Sequence, residues 1–227
     1  MTLLRNTPAT HVLAPQYRLS TLPASETSNA FPAAIQDCLT SYLYLVNTLE
    51  VSPQNIIISG DSAGGNAAIS ILRYLSEFGA GLGIPTPFAA LLWSPWVDPF
   101  VSVTSDWEQT NINVKTDYLT SIFTRWGSLA YAGPTGRSAL SNPYISHLNQ
   151  AFKTRVPLFV NAGSAEVLYF DDKKWAEEMK DTGNNVTWDV EQDVPHDILL
   201  LGKILGFEEA ATRQTKRAGE WISSLMK

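Results

Sequence analysis

At 227 residues, 44% of them hydrophobic and 17% charged, the chain has the length and composition of one globular domain with a sizeable core. A net charge of −6 with scattered Lys and Arg gives no basic stripe for nucleic acid, and no apolar run approaches a membrane span. The single cysteine, Cys38, excludes an internal disulfide. Set among Ile35, Leu39, Tyr42 and Leu43, it reads as a buried, inert thiol. Met1 to Arg5 is too short, and too soon broken by Pro8, for a signal peptide, which makes the cytoplasm the default compartment.

Strands and helices alternate, the pattern of an α/β domain whose mostly parallel sheet carries helices on both faces. In chain order the sequence predicts a strand over 11–17, a helix over 31–49, a strand over 55–59 and a helix over 63–78. There follow a Gly/Pro-rich loop over 79–87, a strand over 88–93, a helix over 117–131 and a strand over 157–162. A helix over 170–181, a strand over 186–191 and a helix over 207–226 complete the series. The last helix has Glu208 and Glu209 in its first turn and Lys216 and Arg217 later, the order a helix dipole prefers. The organisation expected is one partial domain over 1–227 with a cap-like excursion at about 98–143. Such a length favours a functional lid, although each of its aromatics (Trp107, Tyr118, Phe123, Trp126, Tyr131) reads singly as packing.

Gly60-Asp61-Ser62-Ala63-Gly64 fits G-x-S-x-G, a strained strand-to-helix turn that exposes a serine hydroxyl. The apolar Ile57-Ile58 before it and the small and apolar run after it supply the required strand and helix. Glycines are expected at 60 and 64 because a Cβ at either would strike the neighbouring backbone. The Ala63 amide, at the positive end of the helix, is placed to donate to a developing oxyanion. Alone, the pentapeptide more often occurs by chance or caps a helix than marks a nucleophile.

A serine nucleophile needs a base and an acid to orient it. Of three histidines, His196 follows the last strand and would reach the carboxyl edge of the sheet, where ligands bind in open α/β folds. His11 and His147 read as polar residues at a surface or helix end. Glu166 lies in the loop after the 157–162 strand. Its competitors, Asp171 and Asp172, fall where a helix begins, and dipole interaction explains them. The order Ser62, Glu166, His196 is that of α/β-hydrolases.

These motifs, together with Tyr17-Arg18-Leu19, Phe31-Pro32-Ala33-Ala34 with Asp37, Ser94-Pro95-Trp96-Val97-Asp98 and Asn142-Pro143-Tyr144-Ile145-Ser146, resemble the hormone-sensitive-lipase-type carboxylesterases of the α/β-hydrolase fold. The resemblance implies Ser62 as nucleophile, Glu166 as acid (often Asp in relatives) and His196 as base, with a small-molecule ester as substrate and no metal or organic cofactor. It also implies a His-Gly-Gly loop upstream of Tyr17 that supplies most of the oxyanion hole. No such loop occurs here, so the chain reads as an N-terminally truncated form. The absent strand would lie between those at 11–17 and 55–59. Either these two pair directly, or the segment before Ser59 is poorly held. A non-catalytic small-molecule binding protein and a peptidase on this fold are the alternative functions.

Overall fold

Four short strands pair in parallel to form the sheet, in the computed structural model of the chain, which describes residues 2–104 and 107–227. They are β1 (Ile57–Asp61), β2 (Ala89–Trp93), β3 (Leu158–Gly163) and β4 (Val186–Glu191), in the order β1-β2-β3-β4. The helices are α1 (Thr2–Asn6), α2 (Ala33–Leu43), α3 (Ser62–Tyr74), α4 (Ala80–Leu82), α5 (Trp107–Thr110), α6 (Ser121–Ala132), α7 (Tyr169–Asp181), α8 (Ile198–Leu205) and α9 (Glu208–Leu225). Successive residues of a strand point to opposite faces, and here both faces are apolar. Ala90, Leu92, Leu158 and Val160 pack with Ala68, Ile69 and Leu72 of α3 and Trp175, Ala176 and Met179 of α7. Leu91, Trp93 and Phe159 face the other way, onto Ala218 and Ile222 of α9. On their outer side α3 and the turn after it meet α2 through Ile71, Leu75, Ile35 and Tyr42.

The expected strand over 11–17 does not form: the segment is mostly exposed and pairs with no strand among the described residues. A strand persists only where a neighbour answers its amides and carbonyls, and among the described residues β1 pairs only with β2. β1 is therefore an open edge. The segment before Ser59 is nonetheless held, by the Phe88 amide donating to the Ile56 carbonyl at 2.9 Å and by the buried Ile56 side chain.

The helices expected over 31–49 and 63–78 each end in a wider π turn, at Tyr44–Thr48 and Leu75–Gly79. The helix expected from 117 starts instead at Ser121, because the Thr120 hydroxyl caps it by accepting the Phe123 amide at 3.2 Å. In α9, Lys216 and Arg217 lie short of the last turn, which holds no basic residue. Arg217 binds Asp189 of β4 at 2.6 Å and Glu191 at 2.9 Å, so sheet carboxylates account for it. Cys38 is half-buried, and burial pushes its thiol up to about 11. Among the described residues no helix is long and apolar enough to cross a membrane.

Candidate active site

β1 runs into α3 with no intervening residue, and Ser62 makes the corner at φ 50°. That left-handed conformation is strained for a residue with a side chain. Neighbouring loops hold it in place. The Trp96 amide donates to the Ser62 carbonyl at 2.9 Å, and Asn66 Nδ2 donates to the carbonyls of Trp96 and Ile145 at 2.8 and 2.7 Å. A Cβ on Gly60 would overlap the Gly64 carbonyl, so glycine is required there. The same expectation fails at Gly64, whose nearest neighbour would be Asp61 Oδ1 at 4.0 Å. The second close approach is at Gly65, against Pro95 Cβ at 2.8 Å. Ala63 is exposed at the second position of α3, where an amide has no intrahelical acceptor and Asp61 provides no side-chain cap.

The three residues singled out as a triad come together at the carboxyl ends of the strands. His196 Nε2 lies 2.8 Å from Ser62 Oγ, and His196 Nδ1 lies 3.2 Å from Glu166 Oε2. Glu166 follows β3 and has no exposed surface; His196 follows β4 and is also buried. Burial raises the Glu166 carboxyl above its ordinary range, while the imidazole and the Ser94 hydroxyl beside it oppose that shift. Burial depresses the His196 imidazole, but the hydrogen bond and charge of Glu166, with Asp117 and Asp197, outweigh it and leave His196 raised. Asp197, which caps α8 by accepting the Leu200 amide at 3.3 Å, is pushed up to about 7 by burial and by the Asp61 carboxylate.

The other histidines stand apart from Ser62. His11 is exposed beside Thr10. His147 is fully buried, which the sequence did not suggest, with its ring nitrogens 3.0 Å from the Pro143 carbonyl and 3.2 Å from that of Asn66. Asp171 and Asp172 lie in the first turn of α7, as expected.

Sequence reasoning missed the residues that join the acid loop to the base loop. Asp117 Oδ2 accepts the Val167 amide at 2.8 Å, and its Oδ1 accepts the His196 amide at 3.3 Å. Asn113 Nδ2 donates to the carbonyls of Ser164 and Glu166 at 3.1 and 2.9 Å. Backbone partners leave no spacing to read in the sequence.

Around the site the aromatics of the 98–143 excursion divide. Tyr131 packs edge-on against Phe31 at 5.9 Å, as expected. Tyr118 is part-exposed, with its ring 6.0 Å from that of His196. Phe123 and Trp126 stack on each other at 6.0 Å in an exposed position, contrary to the packing expected of them. The Trp107 side chain lies outside the described residues.

Residues 2–200 match the family model described as alpha/beta hydrolase fold. An acetyl-hydrolase from Streptomyces hygroscopicus is 29% identical over 159 residues, covering 70% of this chain and 50% of that protein. Among solved structures, a hormone-sensitive lipase from a metagenome library aligns with a TM-score of 0.71 at 31% identity, over 87% of this chain and 63% of that one. An esterase/lipase from an uncultured bacterium gives 0.79 at 27% identity, over 99% and 68%. The chain thus spans half the length of the acetyl-hydrolase. With its parallel sheet, its serine turn and a family match over most of its length, the chain belongs to the alpha/beta hydrolase fold family.

Proposed function

We propose that the chain is a serine hydrolase of carboxylic esters, acting through an acyl-enzyme. The observation that carries this reading is the unbroken contact chain Ser62 Oγ, His196 Nε2, His196 Nδ1, Glu166 Oε2, at 2.8 and 3.2 Å. A neutral imidazole accepts the Ser62 proton as Oγ attacks the acyl carbon. It then returns that proton to the leaving alcohol, and water repeats the sequence to release the acid. Glu166 accepts a hydrogen bond from Nδ1–H, fixes the tautomer and stabilises the imidazolium without taking its proton. The Ala63 amide, with the positive end of α3 behind it, faces the oxyanion.

The 98–143 excursion is read as a cap-like part of a single domain, with Tyr118 beside His196. The likeness to an acetyl-hydrolase suggests short acyl esters as substrates.

No His-Gly-Gly segment occurs in the 227 residues. Each oxyanion donor is worth about 10²–10³ in turnover, so a chain relying on the Ala63 amide turns over correspondingly slowly. The test is hydrolysis of p-nitrophenyl acetate or butyrate together with fluorophosphonate labelling. Slow turnover abolished by Ser62→Ala, with the adduct on Ser62, is the outcome expected. Turnover equal to that of a full-length esterase would refute the impairment. A second reading is a binding protein on the same fold; an unlabelled Ser62 with reversible ligand binding would establish it.

A further inference from the structure

Asp172 is a carboxyl that the chemistry above does not use. It has no exposed surface, and neither has Glu166. Glu166 engages His196 through Oε2, while its Oε1 and both Asp172 oxygens meet no hydrogen-bond donor among the described residues. The Ser94 hydroxyl also stands beside Glu166 but does not reach Oε1 with hydrogen-bonding geometry. Ionised carboxylates only accept, so two of them facing each other would bury like charges and leave these acceptors unanswered.

Both carboxyls are closed off from solvent with oxygens that no donor among the described residues meets, and each acts on the other as a neighbouring acid; a single proton between them resolves the conflict. Which one keeps it follows from their neighbours. Glu166 has the His196 imidazole to favour its ionised form, whereas the charged groups that act on Asp172 are Glu166 and Asp171, both acidic. Burial and both of these acids push the Asp172 carboxyl well above the ordinary range.

We propose that Asp172 is a positioning residue: a carboxylic acid that donates its O–H to Glu166 Oε1 and so holds Oε2 toward His196 Nδ1. The contact chain then has four members, Ser62, His196, Glu166 and Asp172. The inference rests on the triad reading for its functional meaning, but the proton on Asp172 can be observed without any turnover.

The experiment is carboxyl-carbon NMR of the aspartate-labelled chain between pH 5 and 9, with the low-field His196 Nδ1 proton and the Ser62 fluorophosphonate labelling rate as companion readings. One aspartate resonance should stay at the protonated position throughout and vanish in Asp172→Asn. Asp172→Leu, which removes the donor, should lose the Nδ1 resonance and slow labelling about tenfold or more, the scale on which outer partners act at metal-bound histidines and carboxylates. Asp172→Asn, which keeps a donor, should rescue both. An Asp172 carboxyl ionised at pH 7 overturns the proposal even if Asp172→Leu does not fold. So does an Asp172→Leu chain with unaltered Nδ1 resonance and labelling. A Ser62 that takes no label in the unaltered chain would instead refute the hydrolase reading, leaving the Asp172 resonance to be judged by itself.

Discussion

Ser62 and His196 stand 134 residues apart in the chain, yet their side chains meet at 2.8 Å across the carboxyl end of the sheet. The serine reaches that point from a strained corner at φ 50°. The histidine reaches it from a loop whose amide is held by Asp117. Neither position depends on the other, so the contact belongs to the scaffold.

The pH dependence of Ser62 reactivity follows from the neighbours of His196. The base works only when neutral, and the Glu166, Asp117 and Asp197 carboxylates around it raise its pKa above the ordinary 6.5. Labelling should therefore fall as pH drops through a midpoint above 6.5. Glu166→Gln removes the charge in contact with Nδ1. It should move that midpoint down and slow the reaction by about 10⁴, the cost of an acid-to-amide change in other triads. Labelling rates between pH 5 and 9 for both proteins check this; an unmoved midpoint would deny Glu166 its role.

The two glycines of the pentapeptide should behave oppositely. Gly60→Ala forces a methyl onto the Gly64 carbonyl. Overpacking of this kind costs about 1–3 kcal/mol, and here the obstacle is backbone, so the upper end is expected. Gly64→Ala meets open space inside a helix, where alanine is favoured over glycine by roughly 0.5–1 kcal/mol. Urea unfolding midpoints should fall for the first and hold or rise for the second.

Asp117 should matter to both loops of the site at once. Its carboxylate accepts backbone amides of Val167 and His196 at 2.8 and 3.3 Å, besides that of Tyr118 at 2.7 Å. Hydrogen bonds to a charged group are worth about 1.5–3 kcal/mol each when fully protected, and less at this half-exposed position. Asp117→Ala should destabilise the chain by about 1–3 kcal/mol and slow Ser62 labelling. A labelling rate equal to that of the unaltered chain, in a folded variant, would show that the loops keep their places without it.

The legible parts of the chain are those whose signal is local. Val186–Glu191 alternates and is bounded by turns, and it forms β4 with the expected limits. The serine corner announces itself in five residues, because glycine, strand and helix must all be adjacent. The 11–17 segment has strand-like residues but no neighbour to pair with, and pairing is not written in the segment itself. Ile198–Leu205 escaped notice as α8 because an almost unbroken apolar run carries no helical period. Leu200 and Ile204 even lie exposed on it. Asp117, Asn113 and Asp172 act through backbone amides and carbonyls or through a second carboxyl, and only the folded chain brings those partners to them.

His147 carries the last prediction, on stability in acid. Complete burial, then the charge of Arg73, depress its imidazole to about 3 from the ordinary 6.5. Between those two values the unfolded chain binds a proton that the folded chain refuses. Unfolding is therefore favoured progressively as pH falls from 6.5 toward 3, while above 6.5 the group contributes no slope. The slope approaches one proton, or about 1.4 kcal/mol per pH unit. His147→Gln keeps a neutral amide against the Pro143 and Asn66 carbonyls but has nothing to protonate. Asp171, raised to about 6 by burial and by Asp98, and Asp197, raised to about 7, bind protons in the folded state and so act in the opposite direction. Both proteins contain them, so their effect cancels in the comparison. Urea unfolding at pH 7, 6 and 5 should show the variant losing less stability on acidification than the unaltered chain. Parallel decline in the two would mean that His147 takes up its proton within the folded core.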